Sequence, residues 1–424
     1  MEEDIKREDL DYVYREIELP LIPIIARMEK VGIKIDKEYL SNLSKEYHSD
    51  LEKIEKEIWK YGGREFNINS PKQLAEILFD EIKIGEVDGK SLGIKMKKTS
   101  GGARSTKESE LEKLRSLHPI IDKILEHREL QKLLSTYIDT IPNSIGVDGR
   151  LHASFLQYGT TTGRFSSNNP NLQNIPTKTE RGKRIRNAFI AEDGYVLASL
   201  ALLSQDSYFI KTFQDRRDIH SAVAMKVFNV AEEDVTADMR RRAKVINFGI
   251  LYGMGVTALS QNLGSNRKDA QIFYDNYFKQ FPTIAHYLES IKTFAREHKY
   301  TRTLFGRKRY FPSINSPLPF MRAMAERMAT NAPIQGTATA DIIKIGMNKV
   351  EVELEKEGML ESVRMVLQVH DELVYEIRQK DLEKAKRIIE NGMINAIPSE
   401  FIKDMTPVPL EVSMGFGKNW GELK

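Results

Sequence analysis

Apolar residues recur at helical spacing over the first sixty residues of the chain. Leu19, Ile22, Ile25 and Met28 lie three positions apart, and leucines continue the pattern from residue 40. This period places apolar side chains on one face of a helix. The pattern predicts a long amphipathic helix over residues 11–60.

The next segments predict a mostly helical module with a basic tip. Ser70 and Pro71 have the residue types of an N-cap and a first helical turn, so a helix should begin there. Residues 81–107 are rich in Gly, Ser, Thr and Lys, which predicts a flexible basic loop. A second helical pair should follow from about Glu108 to Ile141.

Short strands are predicted later in the chain. Beyond a turn at 146–149, the runs 151–157 and 195–199 have a β-like composition, whereas residues 200–300 are helical in pattern. The clearest hairpin joins SVRMVLQV to LVYEI within residues 360–377. The chain therefore mixes helices with hairpins.

Composition excludes several classes of protein. A chain of 424 residues is too long for one core and should form two or three domains or subdomains. Its 41% hydrophobic content excludes a mostly disordered chain, and the absence of Cys excludes a disulfide scaffold and Cys-ligated zinc. No apolar run approaches the roughly 20 residues of a membrane span, and the charged start MEEDIKREDL does not predict a signal peptide. The net charge of +3 permits nucleic acid as a partner, but only local clusters can argue for it.

A first cluster lies in the segment 239–255, where Arg240, Lys244, Phe248 and Tyr252 are spaced by four residues. On a helix they form one row along a single face. Two cations one turn apart can hold a polyphosphate, and the aromatic rings offer flat surfaces to a base or a sugar. The alternative is a solvated basic helix end that continues into a core stripe.

A second cluster places two adjacent carboxylates at the predicted hairpin tip, in His370-Asp371-Glu372. Hairpin tips normally use Asn-Gly or Asp-Gly. Asp371 and Glu372 would repel each other without a counter-ion, and oxygen ligands of this type suit Mg²⁺ or Mn²⁺. An ordinary acidic turn in water is the alternative.

A third cluster, at residues 161–189, combines Arg164 with amides and further cations. The amides are Asn168, Asn169, Asn171, Gln173 and Asn174, and the later cations are Lys178, Arg181, Lys183, Arg184 and Arg186. Amides and Arg can bind the minor-groove acceptors of a duplex, which look much alike for every base pair, and the cations can neutralise phosphates. A solvated loop is the alternative. A fourth cluster at 301–312, weak on its own, supplies Arg302, Arg307, Lys308, Arg309 and Tyr310.

Seven sequence strings, taken in order, resemble a family A DNA polymerase of the bacterial DNA polymerase I type. The similarity runs from about Tyr14 to the C-terminus. The strings are YREIELPLIPIIARMEKVGIKID, NINSPKQLAEILF, TGRFSSNNPNLQNIP, DIHSAVA, RRRAKVINFGILYG, NAPIQG and QVHDELVYEI. One such string could arise by chance, whereas seven in order almost cannot.

The resemblance implies a mixed α/β (α+β) fold in a right-hand arrangement, with an antiparallel-sheet palm, helical fingers and a helical thumb. An N-terminal segment, 1–30, would pack on the palm. The thumb would span 31–150, the palm 151–210 and 326–424, and the fingers 211–325. The chain begins where the family's proofreading exonuclease region ends, so no exonuclease activity is expected from it.

The resemblance also implies roles for particular residues. The expected nucleotide-binding residues are Arg240, Lys244, Phe248, Tyr252 and His220. The expected DNA-binding residues are Arg164, Asn171, Gln173, Asn174, Lys178, Gln335, His370, Lys97, Lys98 and Arg104. The expected catalytic residues are Asp371, Glu372 and Lys244, and Asp371 and Glu372 would be the metal ligands.

Primer–template DNA and dNTP are the partners that the resemblance implies. The expected cofactor is Mg²⁺, with Mn²⁺ as an alternative, and its binding should be weakened. A monomer is expected, in the cytoplasm and associated with the nucleoid, with no membrane contact.

The sequence departs from the family at the palm strand that should carry the first catalytic Asp. The family reads roughly D-Y-S-Q-I-E-L-R there, and its Asp bridges both metals, whereas this chain reads EDGYVLASLALLSQDSYFIKTF at 192–213. About ten residues are absent near Ser199-Leu200, and Ala201 falls where counting would place the Asp. Two-metal phosphoryl transfer clamps two ions about 3.5–4 Å apart with carboxylates from separate elements. We therefore expect at most one weakly held metal, and weak or absent catalysis.

Two structural consequences are expected from such departures. Ten residues span about 15 Å as helix or 33 Å as strand, so either the following helix is drawn toward the sheet or residues 195–199 leave it. The segment NAPIQGTATADIIK, 331–344, is also one residue longer than the family's QGTAAD pattern. In an α-helix, one extra residue rotates all later residues of the helix by about 100°.

Three functions stay open at this point. The chain can be a DNA polymerase by descent that carries a gap, or a protein that binds primer–template without chemistry. An RNA-directed or RNA-binding role is the third, because the Glu that screens out ribonucleotides is among the absent residues.

Overall fold

The computed structural model describes residues 2–423 apart from 88–89, 92, 94–96, 99–101, 103, 177–178, 204–218, 229, 252 and 404–409. At 87, 90–91, 201–203, 219, 247–248 and 251 it describes the backbone alone. The strands are β1 (Ile33–Ile35), β2 (Glu86–Val87), β3 (Lys90–Ser91), β4 (Arg150–Leu151), β5 (Ser154–Leu156), β6 (Ser166–Asn168), β7 (Phe189–Ile190), β8 (Tyr195–Leu203), β9 (Tyr300–Arg302), β10 (Lys308–Tyr310), β11 (Val363–Val369), β12 (Glu372–Arg378) and β13 (Glu411–Gly417).

The α-helices are α1 (Glu2–Arg7), α2 (Leu19–Val31), α3 (Lys37–Gly62), α4 (Pro71–Glu76), α5 (Glu108–Leu111), α6 (Ile120–Leu133), α7 (Glu180–Arg186), α8 (Ile219–Phe228), α9 (Ala237–Leu251), α10 (Val256–Leu263), α11 (Arg267–Gln280), α12 (Pro282–His298), α13 (Pro319–Gly336), α14 (Ile342–Lys356) and α15 (Leu382–Ile394). Turns of π-helix occupy Val13–Glu18, Ile77–Glu81, Leu134–Ile138 and Thr337–Asp341. No helix among the described residues combines the length and the apolar character that crossing a membrane requires.

A four-stranded antiparallel sheet organises the second half of the chain. Its strand order is β11-β12-β8-β13, so β8 lies between two partners. Helix α15 packs on β12 and β13 and also on α14, while α2 packs on β11. Helices and antiparallel sheets together confirm the predicted fold class, and the β11–β12 hairpin confirms the hairpin predicted at 360–377.

Strand β8 runs without a break through Ser199-Leu200, the point near which about ten residues were expected to be absent. Tyr195 pairs with Arg378, and the ladder continues along β12 to the pair of Ala201 with Glu372. On its other edge, β8 pairs with β13 from Leu197 to Leu203. Of the two expected alternatives, the departure of residues 195–199 from the sheet is therefore wrong, because the apolar residues that follow continue the strand and keep its backbone hydrogen bonds. The other alternative, a following helix drawn toward the sheet, concerns residues 204–218, which lie outside the described residues.

The long N-terminal helix predicted over residues 11–60 is broken in the middle. Gly32 has a φ of +62°, which ends α2, and β1 then pairs with β4 and β7 before α3 begins. Asp36 caps α3, since its carboxylate accepts a hydrogen bond from the Tyr39 amide at 2.8 Å. Glycine favours this left-handed conformation because it has no Cβ. The signal was present as Gly32 followed by the alternating residues of β1.

Two helix predictions hold where local signals were strong. Ser70 caps α4 by accepting a hydrogen bond from the Gln73 amide, with Pro71 in the first turn. The predicted helix at 239–255 corresponds to α9. Both follow from interactions within one or two turns of the chain.

The segment 331–344, which was expected to hold one extra residue, contains a π-turn. It lies where α13 passes into the π-turn Thr337–Asp341 and then into α14. A π-turn has i→i+5 hydrogen bonds and so takes in one more residue than an α-turn. The expected rotation of about 100° assumed a regular α-helix, and the segment is not a regular α-helix at this point.

A charged network is buried beside this π-turn. Asp341 Oδ1 lies 2.6 Å from Arg307 Nε, and Lys344 Nζ lies 2.7 Å from Glu18 Oε1. The Asp341 and Lys344 side chains are 0% exposed. Burial raises the pKa of Asp341 even though Arg307 opposes that shift, and burial lowers the pKa of Lys344. Two acids and two bases thus balance one another, and they tie the N-terminal segment to α14.

Candidate functional site

The tip of the β11–β12 hairpin is a two-residue turn, His370-Asp371, closed by the pair Val369 and Glu372. His370 has a φ of +53°, which is uncommon for a residue other than glycine. Gln368 Nε2 donates a hydrogen bond to the His370 carbonyl at 2.6 Å. This bond helps to hold the turn in a conformation that its own residue types do not favour.

Asp371 presents a carboxylate with one oxygen free of protein partners. Its Oδ1 is buried and accepts no hydrogen bond within the described part of the chain. Burial raises the pKa of the Asp371 carboxyl, while the charges of Arg164 and His370 act in the opposite direction. A buried oxygen of this kind can bind a cation, because an ion would restore the solvation that burial removes.

Glu372 is directed to a different set of partners. Trp420 Nε1 donates a hydrogen bond to Glu372 Oε1 at 3.3 Å, and Arg186 Nη1 lies 3.8 Å from Glu372 Oε2. The Arg186 guanidinium is stacked 4.0 Å from the centre of the Trp420 ring. Burial lowers the pKa of Arg186, and Glu372 counteracts this effect. The two adjacent carboxylates therefore do not share partners, and Glu372 has a structural contact that the sequence did not predict.

The strand beside the hairpin tip contributes no acid there. Ala201 is opposite Glu372 and Leu200 is opposite Leu373, and the strand then ends in Leu202 and Leu203. Among the described residues, no group of three or more His, Asp or Glu side chains could hold a metal ion. The described residues fit a cation at Asp371 alone, and they do not fit a two-ion site.

Arg164 lies on the loop before β6. Its Nε donates a hydrogen bond to Thr339 Oγ1 at 2.6 Å, and that hydroxyl donates to the Gln335 carbonyl at 2.8 Å. Arg164 and Gln335 were both predicted to contact a duplex, and the structure joins them through Thr339. Thr339 was not predicted from the sequence, because a threonine inside a helical segment carries no signal of such a contact.

Some of the amide side chains after Arg164 face solvent, and one is hydrogen-bonded within the protein. Asn171 and Asn174 are exposed. Gln173 is half-buried, and its Nε2 donates to Gln368 Oε1 at 2.9 Å, which links the amide run to the hairpin tip. Lys178 lies outside the described residues.

The basic helix α7 does not present free charges. Arg184 makes a bidentate contact with Glu46 at 2.6 and 2.7 Å, and Arg181 Nη2 lies 2.7 Å from Glu126 Oε1. The other two cations of α7 are Lys183, paired with Glu180, and Arg186, near Glu372. These cations hold α7 against neighbouring elements, so the predicted phosphate-neutralising row is largely a set of ion pairs.

Three of the four cations in the segment 301–312, which contains the hairpin β9–β10, pair with acids within the protein. Arg302 Nη1 lies 2.8 Å from Asp9 Oδ2, and Lys308 Nζ lies 2.9 Å from Glu8 Oε2. Arg307 belongs to the buried network with Asp341 and Glu18. The acids of the N-terminal segment thus contact the cations of a segment nearly three hundred residues later in sequence.

Helix α9 presents the predicted phosphate-binding cations to solvent. Arg240 and Lys244 are both exposed and lie one turn apart. His220, on the neighbouring helix α8, is 8% exposed. The side chain of Phe248 and the whole of Tyr252 lie outside the described residues.

The tip of the predicted thumb retains two exposed lysines. Lys97 and Lys98 are exposed, and Lys98 forms a β-bridge with Arg104. The Arg104 guanidinium contacts the Asp80 carboxylate and lies 4.7 Å from the centre of the Phe79 ring. Arg104 is therefore engaged inside the protein, whereas the lysines are available to a partner.

Known proteins share both the sequence and the architecture of this chain. The sequence profile of DNA polymerase family A matches residues 37–422. A thermostable DNA polymerase I of Thermus aquaticus is 44% identical over 428 residues, covering 98% of this chain and 49% of that protein. DNA polymerase I of Geobacillus stearothermophilus is 40% identical over 434 residues, covering 100% of this chain and 47% of that protein.

A solved structure of the POL domain of Pol1 from M. smegmatis, in complex with DNA primer-template and dNTP, superposes with a TM-score of 0.88. The two sequences are 35% identical, and the match covers 99% of this chain and 73% of the M. smegmatis chain. The chain spans about half the length of the curated relatives it matches. The combined similarity of sequence and fold shows that the chain belongs to DNA polymerase family A.

Proposed function

We propose that this chain binds a primer–template duplex and an incoming dNTP, as a DNA-directed DNA polymerase does, and adds dNTPs to the primer 3′ end weakly or not at all. The observation that carries the second half of the proposal is the register of β8 against β12. It places Leu200 and Ala201 beside the hairpin tip, where a second carboxylate would be needed. Asp371 alone supplies a carboxylate oxygen without a protein partner in the described part of the site.

Exposed cations support the binding half of the proposal. Arg240 and Lys244 present two charges one helical turn apart, a spacing that suits a triphosphate. Lys97 and Lys98 extend the basic surface at the thumb tip, where a duplex backbone would pass. The M. smegmatis relative, which is in complex with primer-template and dNTP, supports the same partners.

The size of the expected catalytic defect follows from the chemistry. Phosphoryl transfer depends mainly on positioning and on neutralising charge, so few other interactions can compensate for a lost acidic ligand. A loss of about 4 kcal/mol of transition-state stabilisation slows the reaction about a thousandfold. We expect at least that loss relative to a chain in which the ten residues are restored.

Primer extension and duplex binding, measured on the same preparation, test both halves. The expected result is salt-dependent binding of primer–template together with extension at least about a thousandfold slower than in the restored chain. Ordinary turnover with Mg²⁺ by the chain as it stands would contradict the catalytic half. Failure to bind duplex at low salt would contradict the binding half.

A primer–template-binding protein without catalysis is the second candidate, and the apolar end of β8 also favours it. Single-turnover incubation with excess protein separates the two. Slow extension that depends on Asp371 indicates a weak polymerase, whereas no extension over hours alongside intact binding indicates a binding protein.

A further inference from the structure

The π-turn Thr337–Asp341 contacts the Arg164 loop at two points. At the first, Thr339 Oγ1 accepts a hydrogen bond from Arg164 Nε at 2.6 Å. At the second, Asp341 binds Arg307, whose side chain packs against Gly163 so closely that a Cβ there would lie 2.6 Å from Arg307 Cδ. The turn therefore fixes both the backbone before Arg164 and the guanidinium itself.

The Thr339 hydroxyl can act toward Arg164 only as an acceptor. It has a single proton, which it donates to the Gln335 carbonyl at 2.8 Å. That bond sets the rotamer of Thr339 and points its lone pairs outward. Because Nε lies in the guanidinium plane, holding it orients both terminal nitrogens of Arg164.

The terminal nitrogens of Arg164 have no protein hydrogen bond within the described residues; Thr339 is bonded to Nε alone. Arg164 is half-buried. The loop that carries it is bonded to the hairpin tip, since Gln173 Nε2 donates to Gln368 Oε1 at 2.9 Å and Gln368 Nε2 donates to the His370 carbonyl at 2.6 Å. An arginine held through Nε alone keeps both terminal nitrogens as donors for a partner. Minor-groove acceptors of a base pair offer the matching chemistry.

We propose that Thr339 is a positioning residue that orients Arg164 toward the minor-groove acceptor of the primer-terminal base pair. The inference rests on the proposed binding of primer–template. The extra residue of the segment 331–344 lies within this π-turn, and turns of this kind often occur at functional sites. Thr339 thus acts on DNA through Arg164 and does not touch the duplex itself.

The test compares duplexes that differ by one acceptor atom. One primer ends in adenine and the other in 3-deazaadenine, which lacks the minor-groove N3 acceptor. The full chain should bind the second duplex about tenfold more weakly, since one charge-assisted hydrogen bond of about 1.4 kcal/mol corresponds to tenfold. In Thr339→Val, and in Thr339→Ala as a second variant without the hydroxyl, the ratio of the two Kd values should fall to about one.

Two variants serve as matched controls. Thr339→Ser keeps the hydroxyl and should restore the tenfold ratio. Thr330→Val removes a threonine hydroxyl of α13 that also donates to a carbonyl four residues earlier, that of Glu326 at 3.2 Å, without contacting an arginine side chain. It should keep the wild-type ratio, because a general loss of stability lowers both affinities equally.

The outcomes separate the inference from the function on which it rests. A tenfold ratio that persists in Thr339→Val and Thr339→Ala would overturn the positioning role. A ratio of one in the unchanged chain, with normal duplex binding, would overturn it as well while leaving the binding function intact. Absence of any duplex binding would overturn the proposed function and the inference together.

Discussion

Asp341→Asn should lower the free energy of unfolding by about 3–5 kcal/mol, the usual cost of removing one partner from a buried ion pair. The Asp341 side chain is 0% exposed and accepts hydrogen bonds from Arg307 Nε and Thr303 Oγ1, both at 2.6 Å. Its network contains two acids and two bases, so the substitution leaves one positive charge buried without compensation.

A second substitution tests whether charge balance is the cause. Lys344→Met removes a cation that is also 0% exposed and leaves a hydrophobic side chain of similar length. Combined with Asp341→Asn, it returns the network to one acid and one base, Glu18 and Arg307, which are 2.5 Å apart. The double variant should therefore lose at least about 2 kcal/mol less than the sum of the two single losses.

Urea unfolding provides the measurement, with the midpoint and the slope fitted separately. Trp420 is 1% exposed and follows strand β13 of the four-stranded sheet, so its fluorescence reports on the folding of that sheet. The measurement uses a Trp59→Phe background, because Trp59 is the other tryptophan of the chain. Asp238→Asn is the matched control, because that carboxylate is exposed and pairs with Arg241 at the surface. A loss in Asp341→Asn no larger than in the control, or strictly additive losses in the double variant, would refute the reasoning.

The remaining predictions concern pH and DNA affinity. Burial raises the pKa of Glu351, with Arg27 opposing, so Glu351→Gln should stabilise the protein at pH 7 by about 1 kcal/mol or less. A raised pKa in the folded state means that folding penalises the ionised form of Glu351. The difference in stability between the variant and the unchanged chain should therefore vanish as the pH falls below 4.5, the ordinary pKa of the group. Urea midpoints at several pH values measure the sign of this difference. Replacing Lys97 and Lys98 together by Gln should reduce the slope of log K against log salt for duplex binding by about 1.8, since each phosphate contact contributes about 0.9. Arg184→Gln should leave that slope unchanged, because Glu46 already neutralises this arginine.

Much of the local structure could be predicted from sequence because its causes are local. The cap at Ser70, the helix that carries Arg240 and Lys244, and the β11–β12 hairpin all depend on residues within a few positions of one another. The break after Gly32 was equally local, but the apolar period continued across it. A periodic pattern records which residues are buried and does not record where the backbone changes direction.

The candidate site was predicted as a set of residue types, and the structure adds the contacts that several of them make within the protein. Gln173 was expected at the duplex and is bonded to Gln368. Glu372 was expected beside a metal and contacts Trp420. Thr339, which links Arg164 to α13, was not among the predicted residues. A sequence states which groups are present, whereas hydrogen-bond partners are chosen by elements that meet only after folding.

The sequence by itself determined the family, several of the helices and hairpins, and the absence of any acid from the residues of β8. Tertiary structure alone decided that β8 would run unbroken and keep its register with β12. It also decided which cations are neutralised: Arg184 binds a glutamate 138 positions away and Lys308 one 300 positions away, while Lys244 faces solvent. Charges attract over distances of a few ångströms, and only the folded chain determines which of them lie that close.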